Sequence, residues 1–558
     1  MKDSEKADNE GQLKSETKYG TGVVGLLSSP QHVARWLKDL GNTYSIGLMW
    51  MLVASQFVLK GFVMGYCIGG FDWLLSARNT PGPTMQIYTA IGMLPFAMKP
   101  VIGMLSDAFP IRGYQKNPYI FLTALVGLFG LVAIASSGFV EVPVRWLVIG
   151  LFCVMMMVSS ADVLTEAKYA ERIRDNPEKG PDLITFVWLI VTAGGLVATL
   201  TLGSVLEVMQ PNWVYAICLI PAAVILIPTT LNFMDEKRMS HDEVVSVRTH
   251  YFAQWELVVL VFLVGFASIM IMVTGLTSKS VWINLAVGIV SAFVVSCAFL
   301  LLTAPIIGRM VVFGIIQHLC AFNTMGAVFY FYTNGPEQYP EGPHFSPMFL
   351  ISIVGVVGSI FSLLGFSVFN LYMKHWRYHS VFFATNIVYC FGHALSAIQF
   401  SRLNLRWGIS DEVFAISYAM ITSVTTSMLF LPGIVLLTQL CPKNVEATMY
   451  ALLAGTSNLG TQIGGSVGAA VLTSFGVTPR GELGESHKFH NLWIAALISS
   501  IAPVITLILL PWMIPDALQT ERLMDESSTA VDGSPWRKFF SRRADRIGSS
   551  ALDYGSTS

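Results

Sequence analysis

The sequence predicts an all-helical membrane protein with about fourteen spans, arranged as two groups of six with two further spans between them. Hydrophobic residues make up 53% of the 558 residues and charged residues only 12%, whereas charged residues account for about 25% of a typical soluble domain. About fourteen apolar runs, each long enough to cross a bilayer as a helix, follow one another along the chain. Together these two observations exclude an ordinary soluble fold.

The first six predicted spans form an N-terminal bundle at residues 46–234. A segment at 235–309 contains the two additional spans, and a C-terminal bundle occupies residues 310–513. The spans of the first bundle are 46–70, 84–105, 119–138, 144–165, 183–206 and 213–234. The additional spans are 255–275 and 281–303. The spans of the second bundle are 310–332, 347–372, 381–400, 413–439, 448–475 and 492–513.

The two ends of the chain are polar and are interpreted as tails, at 1–45 and 514–558. Short loops on the same side as these tails carry roughly twice as many Lys and Arg residues as the loops on the opposite side, and basic loops favour the cytosol. We therefore expect both termini to be cytosolic. A basic and aromatic cluster at 536–543 predicts attraction to anionic lipid, with a solvated tail as the alternative.

Several classes of protein are disfavoured by composition and motifs. The net charge of −1 gives no basic field for nucleic acid. The seven cysteines are scattered singly, which indicates neither a disulfide framework nor a cysteine metal site. Neither a phosphate-binding Gly-x-x-x-x-Gly-Lys motif nor a His-Glu-x-x-His motif occurs. We expect no enzymatic activity, no cofactor and no metal.

The loop between the second and third spans contains the most specific motif. The sequence reads Leu-Pro-x-x-x-Lys-Pro-x-x-Gly-x-x-Ser-Asp from Leu94 to Asp107, followed by a short basic turn and Asn-Pro-Tyr at 117–119. This hairpin resembles the loop signature of the major facilitator superfamily. More narrowly, it resembles the folate-biopterin transporter family.

Two further blocks carry the same resemblance, so that it extends over roughly residues 46–513. The first, at 160–172, has Asp-Val followed by Glu-Arg, and the fifth span then contains Trp188 and a Gly-Gly pair. The other has Cys-Pro and Val-Glu at 441–446, followed by Asn-Leu-Gly at 458–460. Three features depart from the family pattern: Glu166 stands where an aspartate is expected, the two additional spans exceed a twelve-span plan, and Lys60 stands where some relatives are expected to have glutamine.

The resemblance implies a major facilitator fold and uptake of folate or biopterin, driven by a proton gradient through alternating access. We expect the protein in the plasma membrane. Some relatives are similar to carriers of S-adenosylmethionine, which leaves the substrate open within the family. A membrane receptor that does not transport is the alternative of a different class.

Two lysines lie inside predicted spans, where a lone cation costs about 2.5–3.5 kcal/mol at the bilayer centre. Lys60 is near the middle of the first span, and Gln56 lies one helical turn earlier on the same face. Lys99 lies near the end of the second span. We interpret Gln56, Lys60 and Lys99 as candidate substrate contacts. The alternatives are a structural pairing of Lys60 with a neighbouring helix and snorkelling of Lys99 to the membrane surface.

A second group of charged residues lies at the cytosolic ends of the second and fourth spans. Asp162 and Glu166 are four residues apart, so their carboxylates share one face of a helix. The other members are Asp107, Arg112, Lys168 and Arg172. We interpret the group as an ion-pair network that closes the cytosolic end, with Glu446 as its partner in the second bundle. Proton coupling at the two carboxylates and a solvated cluster are the alternatives.

Two asparagines in or next to apolar spans of the second bundle complete the candidate site. Asn458 lies within the Asn-Leu-Gly block, and Asn323 lies in the span at 310–332. Both are interpreted as substrate contacts. Hydrogen bonding between helices is the alternative for such residues.

Overall fold

The computed structural model describes residues 30–440, 446–521, 523–524 and 529–539. These residues form helices joined by short connections, and no β-strand occurs among them. Thirteen of the described helices are long and apolar enough to cross a membrane. The predicted fold class, an all-helical membrane protein, is confirmed.

The first bundle follows a short helix α1 at Pro30–Tyr44, which packs through Leu40 and Tyr44 against Phe186 and its neighbours. The tail predicted at 1–45 therefore ends in a helix that is docked on the bundle. The six spanning helices of this bundle are α2 (Ile46–Ser76), α3 (Gly82–Ala108), α4 (Asn117–Gly138), α5 (Val144–Asp175), α6 (Pro177–Val208) and α7 (Asn212–Thr230).

A short helix α8 (His241–Ala253) leads into the two additional spans, α9 (Trp255–Thr277) and α10 (Val281–Leu302). The second bundle consists of α11 (Pro305–Thr333), α12 (Met348–Met373), α13 (Tyr378–Phe400), α14 (Asp411–Gln439), α15 (Glu446–Ser474) and α16 (Ser486–Met513). Helices α9 and α10 contact each other and α15, with α3 next to α9 and α11 next to α10. The predicted domain boundaries at 234/235 and 309/310 stay predictions.

Two helices differ from the predicted spans in an informative way. Helix α5 runs to Asp175, about three turns past the expected end at residue 165, because no proline or glycine interrupts it before Pro177. Helix α15 has 29 residues and coincides with the predicted span at 448–475, but it is not among the thirteen apolar helices. Its sequence contains Asn458, Gln462 and several glycines. These residues suit helix contacts better than contact with lipid.

We name the two faces of the molecule by the chain. The terminal side is the side at which α2 begins and α16 ends, and the distal side bears the loop at 77–81. On the terminal side, the segment after α16 is anchored to the α12–α13 loop, where the N–H of Tyr378 donates to the carbonyl of Ala517. On the distal side, the N–H of Gly82 donates to the carbonyl of Pro479.

The largest contacts between the two bundles are α3 with α15 and α6 with α12, and the distal half of α11 also packs against α3. Under a two-fold relation between the bundles, the second helix of one corresponds to the second of the other, and the fifth to the fifth. The two-fold rotation then moves α3 onto α12 and α15 onto α6, so that each of the two pairs is carried onto the other. This is the symmetry expected of a transporter built from two related halves.

Hydrogen bonds between the bundles concentrate on the distal side. Gln86 Nε2 donates to the carbonyls of Asn323 (2.8 Å) and Gly465 (2.9 Å), and Gln86 Oε1 accepts from the N–H of Gly326 at 3.3 Å. Two further bonds join the bundles here: Tyr330 Oη to the carbonyl of Thr80 (2.7 Å) and Ser352 Oγ to the carbonyl of Thr199 (2.7 Å). We call this set of contacts the distal seal.

The connection between α7 and α9 holds the α3–α4 loop in place. The Glu236 carboxylate accepts from the N–H groups of Gln115 (2.5 Å), Lys116 (2.8 Å) and Asn117 (3.0 Å), which satisfies donors at the start of α4. At the end of α3, Arg248 Nε donates to the carbonyl of Ala108 at 2.7 Å. The charged loop is therefore fixed at both ends by a segment outside the six-helix bundle.

The segment at 529–539 docks on the terminal side, against the additional helices. Arg537 Nε donates to Glu256 Oε1 at 2.7 Å, and the rings of Trp536 and Trp255 are in edge contact. Phe539 remains 62% exposed. The remainder of the predicted lipid-binding cluster, 540–543, lies outside the described residues.

Candidate functional site

A buried carboxylate shared by two lysines lies at the centre of the first bundle. Lys60 Nζ is 2.8 Å from Asp162 Oδ1, and Lys99 Nζ is 2.5 Å from Asp162 Oδ2. The Asp162 side chain is 2% exposed, whereas Lys99 is 13% and Lys60 22% exposed. We call these three residues the lysine–aspartate centre. Each lysine is paired with Asp162 on α5, as the structural alternative for Lys60 requires, and the Lys99 amine is directed into the bundle and not towards the membrane surface. Their assignment as substrate contacts stays a prediction.

Gln56 is the fourth member of this arrangement. Its Nε2 donates to Asp162 Oδ1 (3.1 Å) and to Thr165 Oγ1 (3.1 Å), so that Oδ1 accepts from both Gln56 and Lys60. Such additional hydrogen bonds are what a buried ion pair requires. Among the described residues, no donor reaches the buried Gln56 Oε1.

The segment that carries Gln56 and Lys60 is a π-helix, Val53–Val63. π-Helical turns are rare and occur frequently at functional sites. This segment packs closely on α6, because a Cβ atom on Gly61 would lie 2.7 Å from the carbonyl oxygen of Val191. A Cβ atom on Gly194 would lie 2.2 Å from the carbonyl oxygen of Phe57. Only glycine permits this approach, which places Lys60 beside α6.

Glu166 lies one helical turn beyond Asp162, towards the terminal side. It is half-buried, and Tyr169 Oη lies 3.5 Å from its Oε1. Two lysines against Asp162 alone leave one excess positive charge, and an ionised Glu166 balances it. Protonation of Glu166, or the arrival of an anionic ligand, therefore changes the charge of the whole group.

Two aromatic rings lie next to the lysines and were not predicted as site residues. Lys60 Nζ is 5.6 Å from the ring centroid of Trp188, and Lys99 Nζ is 5.4 Å from that of Phe96. Trp188 is 58% exposed, and Phe96 is buried. The sequence placed Trp188 in the fifth span, but no sequence pattern indicates that α2 and α6 approach closely enough for this contact.

The predicted ion-pair network at the terminal side is not a single network, and that prediction is corrected here. Asp162 and Glu166 face the lysines, whereas the other members have separate partners. Lys168 pairs with Glu171 (2.9 Å), Arg172 with Asp235 (3.1 Å), and Asp107 accepts from Tyr251 (2.9 Å). The physical reason is the direction of the side chains on α5. At about 100° per residue, Asp162 faces α2 and α3, whereas Arg172 faces the segment after α7.

The remaining predicted residues divide between the two sides of the molecule. Arg112 lies in the α3–α4 loop with φ 54°, and no ion pair is found for it in the described part of the chain. Asn458 Nδ2 donates to the carbonyl of Phe96 at 3.3 Å, next to Lys99. Asn323 belongs to the distal seal, where its Oδ1 accepts from the N–H of Met325, and not to the lysine–aspartate centre. The side chain of Glu446 lies outside the described residues.

Comparison with known proteins shows the family. The model of the BT1 family matches residues 73–533. A relative from Arabidopsis thaliana, named "Probable folate-biopterin transporter 6", is 25% identical over 89% of this chain and 87% of its own length. The "Folate-biopterin transporter" of Synechocystis sp. is 23% identical over 88% of this chain and 86% of its own length. The "Folate transporter 2" of Plasmodium falciparum is 22% identical over 78% of this chain and 81% of its own length.

Solved structures show the fold. A POT family transporter in complex with 5-aminolevulinic acid superposes with a TM-score of 0.55 at 13% identity, over 84% of this chain and 96% of the other. A D-xylose–proton symporter superposes with a TM-score of 0.53, also at 13% identity, over 85% of this chain and 98% of the other. The resemblance inferred from the three sequence blocks is confirmed. The chain belongs to the BT1 family, and it is a multi-pass membrane transporter rather than an enzyme.

Proposed function

We propose that this protein is a secondary active transporter of folate and related pterins, coupled to protons. The observation that carries the proposal is the lysine–aspartate centre, in which two cations from α2 and α3 share one buried carboxylate. The names of the relatives from plants, a cyanobacterium and a malaria parasite support the substrate class. Folate has a flat pteridine ring and a glutamate tail with two carboxylates, so its recognition requires cations.

Substrate binding at this centre is an exchange of anions. A carboxylate or ring oxygen of the substrate approaches Lys60, which is the more exposed of the two lysines. Lys60 then transfers part of its pairing from Asp162 to the substrate, while Lys99 and Gln56 continue to bind Asp162. The charged groups stay paired throughout, which avoids the cost of an isolated charge inside the membrane.

Proton coupling is assigned to Glu166. When an anionic substrate binds, the group contains one negative charge too many, and a proton on Glu166 restores the balance. Because the anionic group and the proton move together, no net charge crosses the membrane, and the pH difference drives the step. One pH unit supplies about 1.4 kcal/mol, which corresponds to an accumulation of about tenfold.

Alternating access is the proposed mechanism of translocation, with rocking of the two bundles about the centre. The distal seal supports a conformation that is closed on the distal side. If the termini are cytosolic, as the basic loops predict, the described conformation faces the cytosol. Uptake from outside then requires that the distal seal opens. We further propose that the protein functions in the plasma membrane.

Two alternatives remain distinct from this proposal. A carrier of S-adenosylmethionine would bind a cationic sulfonium, for which a centre with two lysines is less suitable. A receptor that does not transport would bind the ligand at the same centre without accumulating it. The symmetric contacts between the bundles favour a moving transporter over this second alternative.

The test is uptake of labelled folate, biopterin and S-adenosylmethionine by cells that produce the protein, at several external pH values. We expect folate or biopterin to accumulate, and to accumulate more at lower external pH. Lys60→Gln should raise KM at least tenfold, whereas Lys279→Gln, in the exposed α9–α10 loop, should not change it. Binding without accumulation would favour the receptor, and accumulation of S-adenosylmethionine alone would refute the substrate class.

A further inference from the structure

Trp188 is an exposed tryptophan that lies beside one of the two lysines of the centre. The side chain is 58% exposed, and its ring lies 5.6 Å from Lys60 Nζ. A lysine amine in a membrane-spanning helix faces a polar cavity or a partner, because exposure to lipid tails is costly. Lys60 is paired with Asp162 and is still 22% exposed, so the exposed part of this lysine and the exposed ring of Trp188 lie side by side.

The direction of Trp188 on α6 also indicates that its side chain faces the space between the two bundles. Thr199 faces the other bundle: its carbonyl accepts from Ser352 Oγ, and its methyl group would lie 2.8 Å from a Cβ atom on Gly355. At about 100° per residue, residues 188 and 199 point within about 20° of each other, roughly three turns apart. Trp188 therefore lies on the same face of α6 that contacts α12 at the distal seal, but nearer the terminal side.

The space beside Gly195, on the same face of α6, is open. Gly195 points within about 20° of Trp188, about two turns along the same helix. A Cβ atom on Gly195 would meet no atom within 4 Å. Helix α2 forms one wall of this space, because the contact between Gly61 and Gly194 fixes Lys60 beside the indole ring. The open space, the indole ring and Lys60 therefore follow one another along the same face of α6.

The charged and titratable groups around this position come from several helices. Helix α2 supplies Lys60, and α3 supplies Lys99, whose amine binds Asp162 on α5. Helix α5 also supplies Glu166, with Tyr169 beside it. Helix α6 itself supplies only the indole on this face. The polar end of a ligand therefore meets the lysines, and its flat part meets Trp188.

We propose that the pteridine ring of the substrate stacks on Trp188 while Lys60 donates to an oxygen or nitrogen at the edge of that ring. This inference rests on the proposed transport of pterins. Stacking of a nucleobase-sized ring on an aromatic side chain contributes about 1–3 kcal/mol by alanine substitution. Trp188 thereby determines specificity for the fused ring, independently of the glutamate tail.

The experiment compares a ligand that has the ring with one that has only the tail. Biopterin carries the pteridine ring, and p-aminobenzoylglutamate carries the glutamate tail on a single benzene ring. Trp188→Ala should raise KM for biopterin about 5- to 150-fold, the range equivalent to 1–3 kcal/mol. Inhibition of folate uptake by p-aminobenzoylglutamate should change less than twofold. Trp188→Phe should retain most of the affinity for biopterin.

A binding readout that does not depend on transport uses the fluorescence of biopterin itself. Purified wild-type protein should quench this fluorescence by stacking, and Trp188→Ala should not. Trp146→Ala is the matched control, because Trp146 is 56% exposed and lies outside the lysine–aspartate centre. If Trp188→Ala fails to fold, Trp188→Phe and Trp188→Leu supply the comparison, with Leu expected to lose quenching.

Two results would overturn the inference. Equal losses for biopterin and p-aminobenzoylglutamate would indicate a general effect on the cavity, and unchanged biopterin affinity would place the ring elsewhere. Failure of the proposed function has a different signature: wild-type protein would neither accumulate nor bind biopterin or folate.

Discussion

Lys60 and Lys99, on two different helices, bind opposite oxygens of the same buried carboxylate. Lys60 contacts Asp162 Oδ1 and Lys99 contacts Asp162 Oδ2, and the two contacts hold α2, α3 and α5 together. The same three side chains are therefore a structural link within the first bundle and the candidate binding site for an anion. This double role leads to the first prediction.

Asp162→Asn should destabilise the protein strongly, because it leaves two lysines without their anion. Removal of one partner from a buried ion pair costs about 3–5 kcal/mol. Thermal unfolding in detergent should show a clear decrease in Tm. The triple variant Lys60→Met, Lys99→Met, Asp162→Asn should recover much of this stability but should not transport. A wild-type Tm for Asp162→Asn alone would contradict a structural role of the centre.

Glu166→Gln should remove the pH dependence of uptake. If Glu166 carries the coupled proton, wild-type uptake rises as the external pH falls, because protonation of this carboxylate accompanies substrate binding. Glutamine is permanently neutral, so the variant should exchange substrate across the membrane at a rate that is independent of pH. Glu171→Gln is the control, since Glu171 is 51% exposed and pairs with Lys168. An unchanged pH profile in Glu166→Gln would assign the proton to another group.

Gln86→Leu should weaken the distal seal. The substitution removes three hydrogen bonds between the bundles, each of which contributes about 0.5–1.5 kcal/mol. A cysteine introduced at Thr80, which is 5% exposed on the distal side, should then react faster with a thiol reagent that does not cross membranes. Gln210→Leu, at an exposed loop position, should leave this rate unchanged. Equal labelling rates in both variants would exclude Gln86 as part of the seal.

Gly194→Ala and Gly195→Ala should differ sharply, although the residues are adjacent. A Cβ atom at position 194 would lie 2.2 Å from the carbonyl oxygen of Phe57, so α2 and α6 would have to separate. At position 195 a Cβ atom would meet nothing within 4 Å. We expect Gly194→Ala to lose uptake and Gly195→Ala to retain it. The measurement is uptake per protein molecule present at the membrane. Similar effects of the two substitutions would argue against the close helix contact.

Arg537→Ala should detach the C-terminal segment from the additional helices. Glu256 is 2% exposed, and Arg537 is its partner at 2.7 Å. A buried acceptor left without a donor costs about 1–3 kcal/mol, so Tm should fall and proteolysis should cleave near residue 529 more rapidly. Lys374→Ala, at an exposed position on the same side, is the control. An unchanged cleavage rate would show that the ion pair does not hold the segment.

The sequence by itself determined the fold class, the spans and the family. Long apolar runs can only be satisfied as helices in a bilayer, and the motif between Leu94 and Asp107, together with the block at 441–460, is specific enough to identify the family. The sequence also placed Gln56 and Lys60 on one face. Each of these properties depends on residues that are close together in the chain, because the length of an apolar run, a motif and the helical period are all local.

Only the tertiary structure decided which charges meet. Asp162 was assigned to an ion-pair network at the end of the bundle, and it lies instead between Lys60 and Lys99. Trp188 became part of the candidate site because Gly61 and Gly194 allow α2 and α6 to touch. The physical reason is that helical period fixes the direction of a side chain on its own helix, while the identity of the neighbouring helix depends on packing between residues far apart in the chain.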